Sequence, residues 1–357
     1  MKFIHTSDLH LDSPLGTHLD TARARERRRE LLHSFSRLVD CAIAEDVRGV
    51  IIAGDLFDSE KVSRRALDTA LDVIEAAKKI TFFYLPGNHE GEAIVRSGRA
   101  IPKNLLIFGD EWTYFQCGEV TVCGRATVSE NMFRTLTLPE HTKNIVVLHG
   151  ELRDRTYSPE TVGRQEARGK NIDYLALGHY HSYGYEQIDK RCVAVYSGTP
   201  EGRGFDETGD KGYVMLDTSE VGVKFSFTPF AKRKLHIVEI DITGATRVSE
   251  IERLVAARIM RIPRSDLVRV LLTGAHKPEL WTDTDALAEK LGGDYYYFEV
   301  RDESHLAIDR REYASDKSLK GEFIRLVMAD EALSERDKED VIATGLYALL
   351  GEEYYER

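Results

Sequence analysis

Five times in this chain a short apolar run ends in a residue that can hold a metal ion. Lys2–Thr6 leads into Asp8-Leu9-His10, and Gly49–Ala53 into Gly54-Asp55. Thr81–Leu85 leads into Gly87-Asn88-His89. Runs ending at Leu148 and Leu177 lead into His149-Gly150 and Gly178-His179-Tyr180-His181. Near-continuous apolar runs of this length read as strands buried on both faces. In open α/β sheets, ligand sites lie beyond the carboxyl ends of strands. The pattern therefore predicts strands that point the same way and bring five tips to one site.

The segments between these runs agree. Ala22–Glu45 has helical spacing, with Leu31, Phe35, Leu38, Val39 and Ala42 on one face. A second helix is predicted over Ser63–Lys79, with Ser63 as its N-cap. Strands alternating with helices imply βαβ units and a largely parallel sheet. Beyond residue 100 the helices thin out and short strand patterns follow one another to Phe227, which suggests sheet packed on sheet with helices outside. Pro229–Lys234 (PFAKRK) is basic and reads as a linker. A β-α-β-α-β texture follows, and from Ser315 the chain is helical and acidic. The expected domains are a catalytic domain over 1–230, a small α/β cap over 231–312 and a helical tail over 313–357.

Asp, His and Asn together suit borderline and hard divalent ions. A carboxylate can bridge two such ions about 4 Å apart, the spacing used for in-line phosphoryl displacement. Each element alone is commonplace: GDLFD and GNHE can be ordinary turns, and a histidine after a buried strand is usually a hydrogen-bonded core residue. Their joint order is the informative observation.

Composition narrows the partners. With 49 Lys+Arg against 60 Asp+Glu the net charge is −11, whereas a passive phosphate binder is usually basic, so local basic patches or metal ions are needed to meet nucleic acid. Cys41, Cys117, Cys123 and Cys192 form no CxxC pair, which predicts a reduced, cytoplasmic protein. No apolar run approaches the roughly 20 residues of a membrane span, so no membrane partner is expected.

DxH, GDxxD, GNHE, HG and GHxH, in that order, resemble the five motifs of the calcineurin-like metallophosphoesterase superfamily. TSDLHLD, GDLFD, LPGNHE and the segment YSGTPEGRGFDETGDKGY (196–213) resemble more narrowly the SbcD-type DNA repair exonucleases, and the compact form and ending its YhaO-like subgroup. The resemblance implies an α/β (α+β) fold: a calcineurin-like four-layer β-sandwich flanked by helices, a small cap and a helical tail. It implies two divalent metal ions, Mn2+ first, with Fe, Zn or Mg as alternatives. Asp8, His10, Asp55 and His181 would hold one ion; Asp55, Asn88, His149 and His179 the other. A metal-bound hydroxide would be the nucleophile. His89 would contact the scissile phosphate and assist the leaving group, and Asp58 stands where some family nucleases carry a phosphate-contacting histidine. The expected partners are DNA, an SMC-like ATPase docked on the tail, or a second copy of the chain; the expected place is the cytoplasm, on the nucleoid.

Three further features remain open at this level. Arg23, Arg25, Arg27, Arg28 and Arg29 can meet a DNA backbone or form a solvated helix face threaded with Glu26 and Glu30. Tyr295, Tyr296, Tyr297 and Phe298 can stack unpaired bases, although strand alternation sends two of them into a core. Arg203 suits substrate contact and a structural ion pair equally. The leading reading is a manganese-dependent DNA exonuclease or endonuclease of repair or recombination. The alternatives are a phosphodiesterase or phosphatase on small substrates such as cyclic nucleotides, and a non-catalytic scaffold. A complete ligand set argues against the scaffold.

Overall fold

The computed structural model describes residues 1–15, 19–87, 90, 93–220, 222–277, 280, 282–307 and 315–349. Asn88 and His89 lie outside the described residues. Two compact units divide the chain, 1–235 and 236–357, so the tail groups with the cap sequence.

In the first unit the chain runs β1 (Lys2–Thr6), α1 (Thr21–Ala44), β2 (Gly49–Ala53), α2 (Arg64–Ala76), β3 (Thr81–Leu85), α3 (Ala93–Arg96) and β4 (Leu105–Ile107). It continues through β5 (Thr113–Cys117), β6 (Val120–Gly124), β7 (Lys143–His149), β8 (Glu151–Arg153), β9 (Thr161–Gly163) and α4 (Arg164–Ala167). Then come β10 (Tyr174–Gly178), β11 (Gly184–Gln187), β12 (Val193–Tyr196), β13 (Gly212–Asp217) and β14 (Lys224–Pro229). One six-stranded sheet has the order β14-β13-β1-β2-β3-β4, the other β11-β12-β10-β7-β6-β5. β1 to β4 are mutually parallel, as are β6, β7, β10 and β12; antiparallel strands close both edges of the second sheet and the β13–β14 edge of the first, whose other edge is the parallel strand β4.

Strand alternation explains how two sheets stack. Phe3, Ile51, Ala53 and Phe83 from the first sheet meet Ile145, Val147, Tyr174 and Ala176 from the second in a shared core. The alternate residues face outward. Ile4, Val50, Ile52 and Phe82 pack under α1 and α2, while Val146, Leu148, Leu175 and Leu177 pack under the opposite outer layer. Four layers result, as the resemblance implied. The predicted stripe Leu31, Phe35, Leu38, Val39 and Ala42 is the buried face of α1. Asp20 caps that helix by accepting from the Ala22 and Arg23 amides, and Ser63 caps α2 by accepting from Ala66.

Pro229–Lys234 departs from its reading as a linker. Glu30 on α1 takes ion pairs from Arg27 (2.6 Å), Lys232 (2.6 Å) and Arg233 (2.9 Å), and Lys234 pairs with Asp210. A buried carboxylate thus fastens the basic stretch to the first unit. All four cysteines are free thiols, and burial pushes Cys123 and Cys192 up to about 12.

The second unit contains β15 (Leu235–Asp241), α5 (Val248–Ile259), β16 (Leu267–Thr273), β17 (Ala275–His276), α6 (Thr284–Gly292), β18 (Tyr297–Asp302) and β19 (His305–Leu306). A sheet of order β15-β16-β18 packs with α5 and α6 around Ile251, Val255, Val268, Val270 and Leu287. Tyr295 is buried, stacked on Phe298 with the Arg264 guanidinium over its ring, so it is part of this core. Two helices end the described chain, α7 (Leu319–Ala329) and α8 (Glu335–Leu349). Ser334 and Asp337 form a reciprocal capping pair at the start of α8. Ile324, Val327, Ile342 and Leu346 close a small core, while Leu319 and Leu326 stay 70% and 65% exposed. Among the described residues, no helix is long and apolar enough to cross a membrane.

Candidate metal centre

The carboxyl ends of β1, β2, β7 and β10 open on one edge of the stacked sheets, and their ligand-type side chains meet there. Asp8, His10 and His181 offer atoms all within 4.8 Å of one another, and so do Asp8, Asp55 and His149. His10 Nε2 lies 3.8 Å from Asp55 Oδ2, and His149 Nε2 lies 3.5 Å from the same oxygen. His181 Nε2 lies 3.8 Å from Asp8 Oδ1. His179 stands edge-on to His149, with ring centres 5.6 Å apart. Of the seven predicted ligands, only Asn88 falls outside the described residues.

The backbone is bent to achieve this. Asp8, His10, Asp55 and His179 all have positive φ (52°, 46°, 51° and 105°), a region that costs a non-glycine residue roughly 1–2 kcal/mol. Cross-links between the turns hold them. The Asp8 amide donates to Gly54 O, His10 to Asp55 O and Leu11 to Leu56 O, each at 3.0 Å. The His179 amide donates to both Asp8 carboxylate oxygens at 3.1 Å. Two glycines are required by space. Gly54, at φ 92°, passes against the His149 ring, and a side chain on Gly87 would run into the Asp55 carboxylate.

The residues present fit metal ions. His149 Nδ1 donates to Ala53 O at 2.9 Å, which leaves Nε2 with its lone pair; that atom is buried and makes no hydrogen bond. Metal binding needs neutral imidazole and ionised carboxylate. Burial, then His149, holds His179 below the usual histidine value, whereas the Glu207 hydrogen bond raises His181.

Sequence reasoning missed the residues that hold the ligands. Glu90 is fully buried and accepts amides from Leu56 (3.0 Å), Phe57 (2.6 Å) and Gly87 (3.2 Å), tying the second strand tip to the third. Burial, and then Asp55, pushes its carboxyl up to about 8. Asp12 accepts from the Asp58 and Ser63 amides at 3.1 and 3.0 Å. Glu207 accepts from His181 Nδ1 at 2.7 Å. Burial alone would raise Glu207, but His181 and Arg203 outweigh it and hold it down to about 2. Glu90 was visible as the last letter of GNHE; Glu207 carried no ligand spacing at all.

Asp58 and Arg203 sit together at the rim. Asp58 Oδ1 lies 3.0 Å from His10 Nδ1 and 3.0 Å from Arg203 Nη1. Arg27 from the predicted basic cluster is buried and donates to Gly202 O. Arg25, Arg28 and Arg29 instead line a groove of about 440 Å³ with Arg65, beside Leu11 and Asp12.

The chain belongs to the calcineurin-like phosphoesterases: the sequence profile of that family, described as Calcineurin-like phosphoesterase, matches residues 1–183. As a member of that family it is a hydrolase acting on phosphoester bonds. Its particular relatives include the uncharacterized metallophosphoesterase YhaO of Bacillus subtilis, 26% identical over 296 residues, 77% of this chain and 72% of that protein. The DNA double-strand break repair protein Mre11 of Sulfurisphaera tokodaii is 28% identical over 240 residues, and that of Saccharolobus solfataricus 29% over 242. Those alignments cover 61% and 62% of this chain but only 60% and 61% of the relatives, so the chain spans less than two thirds of their length. A dimetal phosphatase from Danio rerio superposes with a TM-score of 0.45 at 13% identity, covering 63% of this chain and 98% of that one.

Proposed function

We propose that this protein is a two-metal DNA nuclease that cuts phosphodiester bonds in repair or recombination, with Mn2+ as its working ion. The observation that carries the polynucleotide reading is the arginine groove. Leu11 and Asp12, which follow ligand His10 directly, form one wall, and Arg25, Arg28, Arg29 and Arg65 line it. Among the described residues none of these four arginines has an ion-pair partner, in a chain whose net charge is −11. A basic track beginning at the reacting centre suits a polyphosphate backbone. The kinship with Mre11 proteins supports the same reading.

Asp8, His10, Asp55 and His181 would hold one ion; Asp55, Asn88, His149 and His179 the other, with Asp55 shared. The bound pair supplies activation of water and neutralises charge that builds on the phosphate. The chain's own part is to fix geometry. Ala53 O sets the His149 tautomer and Glu207 orients His181; His89 would contact the phosphate and pass a proton to the leaving oxygen. The unit from residue 236 guides the substrate, and the exposed Leu319 and Leu326 of the terminal hairpin receive an SMC-like ATPase.

The test is incubation with labelled single-stranded and duplex DNA, and with bis-p-nitrophenyl phosphate, across Mn, Mg, Zn and Fe. The reading requires DNA cleavage, strongest with Mn2+. Hydrolysis of the small diester with DNA left intact would replace it with a small-molecule phosphodiesterase.

A further inference from the structure

Arg203 joins two carboxylates that serve two different histidines. Its Nη1 donates to Asp58 Oδ1 at 3.0 Å, and its Nη2 to Glu207 Oε1 at 2.9 Å. Its Nε also reaches Glu207 Oε1 at 3.1 Å, and its backbone amide donates to Glu207 Oε2 at 2.7 Å. Beyond the arginine, Asp58 Oδ1 faces His10 Nδ1 at 3.0 Å and Glu207 Oε1 faces His181 Nδ1 at 2.7 Å. The first contact is an ion-pair approach, the second a hydrogen bond. Five side chains thus form one arc, His10–Asp58–Arg203–Glu207–His181, outside the centre. The two rings lie 5.2 Å apart and turn their Nε2 atoms inward, toward Asp55 and Asp8.

A carboxylate on the outer nitrogen of a ligating histidine fixes the ring and its tautomer and raises its basicity. Asp58 and Glu207 are placed to do this, but two carboxylates beside Asp8 and Asp55 repel one another unless a cation sits between them. Arg203 is that cation, and its planar fork engages both at once, which a single ammonium does poorly.

We propose that Arg203 is a positioning residue for the His10/His181 metal site: by bridging Asp58 and Glu207 it locks both histidines with Nε2 aimed at the ion. On this account Asp58 also acts through His10 and does not touch the phosphate. The inference rests on the two-metal reading above.

The test is Mn2+ titration of chelator-stripped protein, followed by the electron paramagnetic resonance signal of free Mn2+, together with kinetics on bis-p-nitrophenyl phosphate. Wild type should bind two equivalents; failure to do so overturns the two-metal reading itself. Arg203→Met should weaken one equivalent about 10–100-fold and leave the other in place. Arg203→Lys should recover only part of that loss; full recovery would mean that charge alone matters and the bridge does not. If Arg203→Met does not fold, Glu207→Gln, which keeps a hydrogen-bonding side chain but loses the charge, should show the same selective loss. Unchanged metal affinity with a raised KM in these variants would overturn the proposal and make Arg203 a substrate contact.

Discussion

Glu30 offers a test of how the first unit holds its catalytic edge. It is buried on α1 and ringed by Arg27, Lys232 and Arg233. Through Arg27, which also donates to Gly202 O, it supports the loop that carries Arg203. Burial by itself would raise the Glu30 carboxyl; the three cations overcome that and hold it at about 2, against an ordinary value of 4.5. A carboxyl depressed on folding adds stability that is fully present above its unfolded value and disappears as pH falls through its folded value. The depression corresponds to about 3 kcal/mol at pH 7, a sizeable fraction of a domain's 5–15 kcal/mol. Glu30→Gln should therefore destabilise the first unit by about 3 kcal/mol at pH 7 and by about half that at pH 3. Urea denaturation of both proteins in chelator, at intervals from pH 7 to pH 3, measures the difference. A constant difference across that range would refute the electrostatic account and leave only a packing role.

Three more expectations follow from the site. His89→Ala should keep both metals and lose 10²–10⁴-fold in diester turnover, and near-normal turnover in the metal-loaded variant would make His89 structural. Replacing Arg25, Arg28, Arg29 and Arg65 together by Gln should weaken DNA binding, flatten its salt dependence by about 3–4 in log–log slope and spare the small diester; an unchanged slope would remove the groove from the substrate path. Ending the chain near residue 314 should abolish co-purification of the matching SMC-like ATPase, and equal recovery with the full chain would refute docking on the hairpin.

Strand tips and helix faces were legible because both follow from period: alternation sorts Ile4 from Phe3, and the helical repeat sorts Phe35 from Arg37. The meeting of Asp8, His10, Asp55, His149 and His181 was legible because each falls just after a buried run. What was not legible depends on residues far apart in the chain. Nothing near Glu207 signals that it meets His181, and nothing near Asp58 signals Arg203, because those contacts exist only once the sheets have stacked. Pro229–Lys234 reads as a linker because its charges have no partner within the stretch; Lys232 and Arg233 meet Glu30, some 200 residues earlier, and Lys234 meets Asp210. The left-handed backbone at Asp8, His10 and Asp55 was hidden for the same reason, since those residues have no intrinsic need of it. Tyr295 was ambiguous by alternation alone, and the core around α5 and α6 decides its place.

The central claim is that one edge of this fold holds two metal ions sharing Asp55. Anomalous scattering from crystals grown with Mn2+ tests it most directly. The account requires two peaks about 4 Å apart, one among Asp8, His10, Asp55 and His181, the other among Asp55, Asn88, His149 and His179. A single peak, or two peaks with Asp55 ligating only one of them, would contradict it.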